Sequence, residues 1–206
     1  MIVEIRTYTL NPGTTPEFEK RFAEALPNRT KLSPLAAFWH TEVGPLNQVI
    51  HVWPYEDMAA RTRIRDEATK QPGWPPNTRE FVVSQKSQVF IPAPFSPKLE
   101  PAQHGGIYEI RMYTLKPGAV PSQIDRWSTA IGERVKLSPL VFAGHSELGE
   151  LNIWCHIWAY KDANHRAEIR EKARKEGIWP PKGGQPGTML KQENMLVVPA
   201  SFSPLR

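Results

Sequence analysis

Displaced by 105 positions, this chain of 206 residues lies on top of itself. Glu4-Ile5-Arg6 meets Glu109-Ile110-Arg111, and Tyr8-Thr9-Leu10 meets Tyr113-Thr114-Leu115. Lys31-Leu32-Ser33-Pro34-Leu35 meets Lys136-Leu137-Ser138-Pro139-Leu140. His51, Trp53, Tyr55 and Asp57 fall on His156, Trp158, Tyr160 and Asp162, and Trp74-Pro75-Pro76 falls on Trp179-Pro180-Pro181. From Val3 to Pro76, 34 of 74 positions are identical. An insertion of two residues then moves the register to 107, which pairs Phe95-Ser96-Pro97 with Phe202-Ser203-Pro204. A period this long is a whole domain, so the chain is a pair of fused domains and not a solenoid of small repeats. The units are expected at residues 1–98 and 104–206, with 99–103 as the linker inside the Pro-rich stretch Pro92–Gly106.

Any fold for one unit must therefore serve twice. Val3–Leu10 alternates and is rich in β-formers, so it reads as a strand closed by the turn Asn11-Pro12-Gly13. Thr15 as N-cap and Pro16 at the first helical position open a helix, with Phe18, Phe22 and Leu26 on one stripe. Leu35–Glu42 and Gln48–Tyr55 read as the next two strands. Asp57 caps a second helix with Ile64 and Ala68 inward, and Ser87–Ile91 supplies a fourth strand. The order β-α-β-β-α-β is ferredoxin-like, and the fold class is α+β. Such a unit leaves one sheet face bare of helices. Two tandem copies can cover each other's bare face, which predicts a pseudo-two-fold α+β barrel. Two such chains can also pair further as a homodimer.

Composition narrows the function classes. No apolar run approaches the roughly 18–20 residues of a membrane span. The opening Met1-Ile2-Val3-Glu4-Ile5-Arg6 lacks the basic-then-apolar pattern of a secretory leader, and the single Cys155 suits a reducing compartment. A cytoplasmic protein with no membrane span is expected. The net charge of +5 and pI near 9.4 are modest and not concentrated in an arm. Arg61, Arg63 and Arg65 stand among Asp57, Asp66 and Glu67 and read as a solvated helix face, so no nucleic-acid partner is expected. No Walker loop, dinucleotide glycine fingerprint, Cys-x-x-Cys pair or nucleophile elbow is present. His40-x-Glu42 and His145-x-Glu147, with His51 on the neighbouring strand, are the best metal candidates, but that spacing is common by chance. Neither a metal nor a cofactor is expected. The Trp-Pro-Pro triplets read as helix stops.

The stretch Thr41–Trp53 resembles the signature of the NIPSNAP family, together with Glu4-x-Arg6-x-Tyr8, Pro12-Gly13, Arg61, Arg65 and the closing Pro92–Pro97. The resemblance covers nearly the whole chain, twice. The second copy departs from the first at Glu150 for Pro45 and at Ile153-Trp154-Cys155 for Gln48-Val49-Ile50. The resemblance implies the dimeric α+β barrel superfamily, whose members include cofactor-free monooxygenases, muconolactone isomerases and haem-degrading enzymes. It implies no settled reaction.

Strand parity selects the candidate site, because alternate residues face opposite sides of a sheet. Ile153, Cys155, Ile157 and Ala159 form a small apolar face suited to packing under helices. The other faces carry Glu4, Arg6 and Tyr8 with His51, Trp53 and Tyr55, and in the second copy Glu109, Arg111 and Tyr113 with His156, Trp158 and Tyr160. These mixed faces are expected to meet across the barrel lumen. Aromatic walls with a few placed polar groups suit a pocket for a small aromatic or carbonyl-bearing metabolite. An alternative is a cofactor-independent monooxygenase or isomerase, with His51 or His156 as base and Arg6 or Arg111 stabilising an oxyanion. A third reading is a structural or adaptor protein with a filled barrel.

Overall fold

A computed structural model describes residues 1–206. The first half runs β1 (Ile2–Leu10), α1 (Thr15–Thr30), β2 (Ala37–Val43), β3 (Gln48–Tyr55), α2 (Met58–Ala68), β4 (Val82–Pro92). The second half repeats it as β5 (Ile107–Leu115), α3 (Val120–Arg134), β6 (Leu140–Leu148), β7 (Ile153–Tyr160), α4 (Ala163–Lys175), β8 (Met189–Pro199). Asp57 and Asp162 cap α2 and α4 by accepting from the backbone N–H of Ala60 and His165 at 2.7 and 2.8 Å. The cap of α1 is Thr14, one residue before the expected position, and β4 is about twice as long as its apolar stretch suggested. No helix is long and apolar enough to cross a membrane.

The eight strands form one closed antiparallel barrel in the order β1-β3-β2-β8-β5-β7-β6-β4. Each half keeps the ferredoxin-like order, and β2–β8 and β4–β6 are the two seams between halves. Closure leaves no sheet edge along the seams. The chain after each half's last strand crosses to the other half. The Phe38 N–H donates to Ser203 Oγ at 2.9 Å, and the Ala143 N–H donates to Ser96 Oγ at 3.1 Å. Phe202 stacks 6.0 Å from Phe22, and Phe95 stacks 6.2 Å from Trp127. The repeated Phe-Ser-Pro motif is therefore an exchanged arm.

The core layers correct the parity assignment. One apolar cluster takes Val3, Ile5, Ile50 and Val52 from the first half and Ile110, Cys155, Ile157 and Ala159 from the second, so it is the barrel interior. The lumen is filled, and it holds none of the proposed site residues. A barrel of eight strands is just wide enough for its own side chains, and here aliphatic residues fill it together with the rings of Trp39, Phe90, Tyr108 and Phe142. Long side chains bridge the layer between sheet and helices. Phe18 and Phe22 of α1 accordingly pack against Phe38, Val49, Trp53 and Tyr55 on the outer face. Trp127 and Ile131 of α3 pack likewise against Trp154, Trp158 and Tyr160.

Candidate functional site

The two predicted residue sets do come together, each on the outer face of a half and under its own helices. In the first half β1 and β3 pair so that Glu4 lies beside Trp53 and Arg6 beside His51. Glu4 is fully buried. Its Oε1 accepts from Arg6 Nη1 at 2.9 Å, from Arg61 Nη2 at 2.6 Å and from Ser87 Oγ at 2.6 Å. Burial alone would raise this carboxyl, but the bonds from Arg61 and Ser87 and the charge of Arg6 outweigh it and hold the pKa down at about 2. Arg6 Nε also donates to the Tyr8 hydroxyl at 2.9 Å, which fixes that ring at the cavity wall. Glu4 itself lies behind this wall and does not line the cavity.

His51 is buried among rings: Tyr8 stands perpendicular to it at 4.8 Å and Phe22 is tilted against it at 5.4 Å. The Trp53 indole N–H donates to His51 Nδ1 at 2.6 Å. An indole can only donate, so Nδ1 is the acceptor and the imidazole proton sits on Nε2. Burial, and then the neighbouring Arg6, lower the His51 pKa to about 3. The side chain is thus a neutral N–H donor whose Nε2 has no partner in the protein. The base role given above as an alternative would need the other tautomer, with a free lone pair on Nε2. His156 repeats the arrangement, accepting at Nδ1 from Trp158 at 2.8 Å, with Nε2 again without a partner.

A cavity of about 480 Å³ opens against these groups. Its floor is Arg6, Tyr8, His51, Trp53 and Tyr55; its roof is Phe18, Phe22 and Arg29 from α1 and Arg65 and Ala68 from α2. Trp74, Pro75 and Pro76 belong to its lining and not to a helix stop, since α2 has already ended at Ala68. The equivalent cavity in the second half is about 220 Å³. Behind its lining, Trp127 and Trp154 take the positions of Phe22 and Val49, and their rings pack 5.2 Å apart.

Sequence reasoning missed Arg29, Arg65, Phe22 and Trp74 as cavity residues. Arg61 and Arg65, read there as part of a solvated face, turn inward toward Glu4, with Arg65 Nη1 at 4.0 Å from Oε2. A signal was available. The repeat keeps Arg29, Arg61 and Arg65 as Arg134, Arg166 and Arg170, whereas Arg63 becomes Glu168. His40 lies on the helix side of β2, where Nδ1 contacts Glu19 of α1 at 2.7 Å, and Glu42 is exposed. That histidine is committed to α1.

A family model described as NIPSNAP matches residues 3–97 and again 108–204. Protein NipSnap homolog 3B of Homo sapiens is 32% identical over 212 residues, covering 98% of this chain and 85% of its own. Protein NipSnap homolog 2 of Mus musculus is 26% identical over 215 residues, covering 100% and 76%. A solved chain from Lactobacillus acidophilus named as a monooxygenase superposes with a TM-score of 0.62 over 96% of this chain and 92% of that one, at 10% identity. One named as a chlorite dismutase gives 0.58 over 97% and 94%, at 11% identity. At such identities the likeness establishes the barrel fold alone. Two family matches, one per repeat, and a relative sharing nearly the full length lead to one conclusion: the chain belongs to the NIPSNAP family and carries its domain twice.

Proposed function

We propose that the protein binds a small, planar aromatic or carbonyl-bearing metabolite in the N-terminal cavity, between the outer face of β1 and β3 and the helices α1 and α2. The observation that carries this reading is a cavity of about 480 Å³ walled by Trp53, Trp74, Tyr8 and Phe22, with the neutral imidazole of His51 in its lining. That volume falls in the usual range of small-molecule sites, and aromatic walls with a few polar groups are their usual composition. Binding is favoured over proton abstraction because His51 is a donor. Every wall comes from a single chain, so pairing of two chains is not needed to complete the pocket. A cytoplasmic setting fits Cys155, which is free and buried in the lumen.

The test is a metabolite library screened by thermal shift and tryptophan fluorescence against the parent and Phe22→Trp. That variant copies the second half's filling residue into the first. Ligands that stabilise the parent and quench its tryptophans, and that lose both effects in Phe22→Trp, support the pocket. Ligands that bind both proteins alike, or a library with no hit, would remove the reading.

A further inference from the structure

We infer that the ligand of the N-terminal pocket is an anion, a planar molecule whose carboxylate or phosphate is held by Arg29 and Arg65. This rests on the binding reading above and deepens it. The cavity lining contains Arg6, Arg29, Arg65 and Arg79 and not one Asp or Glu. The carboxylate in ion-pair reach of Arg6, Arg61 and Arg65 is Glu4, behind the wall. With Arg29, four arginines share one negative charge, a local excess of three.

Arg29 is the most telling of them. It is 2% exposed and pairs with no carboxylate. Nη1 donates to Ser33 Oγ at 2.8 Å, Nη2 donates to the Tyr55 hydroxyl at 2.9 Å, and the guanidinium lies 4.2 Å from the Trp53 ring centre. Neutral hydroxyls and a ring face offset only part of the cost of burying a full charge. Burial accordingly pushes the Arg29 pKa down. An anion in the cavity would supply the missing countercharge. Arg65 offers the second half of the clamp: it touches Glu4 only at 4.0 Å, and its side chain is 40% exposed. A guanidinium fork bonds two oxygens of a carboxylate or phosphate at once, in one plane. Trp53 and Trp74 meet at 78° with centres 6.3 Å apart, forming a corner against which a flat ring can lie.

The second half repeats the pattern independently. Its smaller cavity is lined by Arg111, Arg134, Arg170 and Arg174, again with no Asp or Glu. Arg134 is bonded to Ser138 and Tyr160 and lies 4.0 Å from the Trp158 ring centre. The two clusters together hold an excess of six positive charges, more than the whole chain's +5. Outside these two clusters the remaining charges of the chain nearly cancel.

The experiment uses matched probes with the intact chain: benzoate against benzamide, 1-naphthoate against 1-naphthamide, and phenyl phosphate as the second head group. Binding is read by calorimetry and tryptophan fluorescence at about 20 and about 500 mM salt, in the parent, Arg65→Gln and Phe22→Trp. The acids should bind roughly tenfold or more tightly than their amides, weaken in high salt, and lose about tenfold in Arg65→Gln, while the amides are unmoved by that change. The carboxylate and phosphate arms then decide which head group fits. Amides that bind as tightly as acids, and are blocked by Phe22→Trp, would overturn the anion inference and leave the pocket standing. No binding by any probe at millimolar concentration, or acid binding indifferent to both substitutions, would overturn both.

Discussion

Glu4→Gln should cost the protein several kcal/mol, and the loss should shrink in acid. The carboxylate is fully buried and holds Arg6, Arg61 and Ser87 through one oxygen. Held at about 2 against an ordinary 4.5, it favours the folded state by about 3 kcal/mol near neutral pH. Breaking a buried ion pair from one side costs about 3–5 kcal/mol, which agrees. Because the folded value lies below the unfolded one, the unfolded chain takes up the proton first as acid is added. The contribution is whole above about pH 4.5 and disappears as pH falls through about 2, so roughly 1.5 kcal/mol survives near pH 3. Urea unfolding of parent and variant at about pH 7 and about pH 3 measures both gaps, and other acid-sensitive groups cancel in the difference. A neutral-pH loss below about 1 kcal/mol, or a gap that does not narrow in acid, would refute this account of the cluster.

His51 is held at about 3, and His156 also lies well below the ordinary 6.5. Folded-state stability should therefore fall with acid from about pH 6.5, by about 1.4 kcal/mol per pH unit for each histidine, and the slope should halve in His156→Gln; a flat profile between pH 6.5 and 5 would contradict the burial of neutral imidazoles. Ser203→Ala removes the acceptor of the buried Phe38 N–H and should cost about 1–3 kcal/mol in urea midpoints, whereas a disordered tail would give no loss. Trp127→Phe should lower stability by roughly 1–3 kcal/mol and enlarge the C-terminal cavity, so that a ligand taken once by the parent binds with two sites in calorimetry.

The fold could be read early because the repeat repeats everything. One β-α-β-β-α-β order, seen twice at a shift of 105, already requires two bare sheet faces to meet. Which residues share a sheet face was legible as well, since parity alone groups Glu4, Arg6 and Tyr8, and His51, Trp53 and Tyr55. Which side of the sheet those groups face was not legible. Parity separates two faces but does not name them, and the interior takes rings as large as Trp39 and Tyr108 beside its aliphatic residues, so side-chain size did not tell the two faces apart. The helix arginines were lost for a different reason. Arg61 and Arg65 sit among acidic neighbours in sequence, yet their partner is Glu4, 57 residues from Arg61. The tautomer of His51 depends on the Trp53 indole two residues along the same strand face, a contact that spacing permits but only side-chain placement establishes.

A crystal structure of the protein with 1-naphthoate, or with whichever acid binds tightest, tests the central claim most directly. The ring should lie in the corner of Trp53 and Trp74, beside His51, with its carboxylate within hydrogen-bonding distance of Arg29 or Arg65 and the N-terminal cavity filled ahead of the C-terminal one. Density for the ligand in the barrel lumen, on the outer surface, or with its carboxylate turned away from the arginines would contradict it.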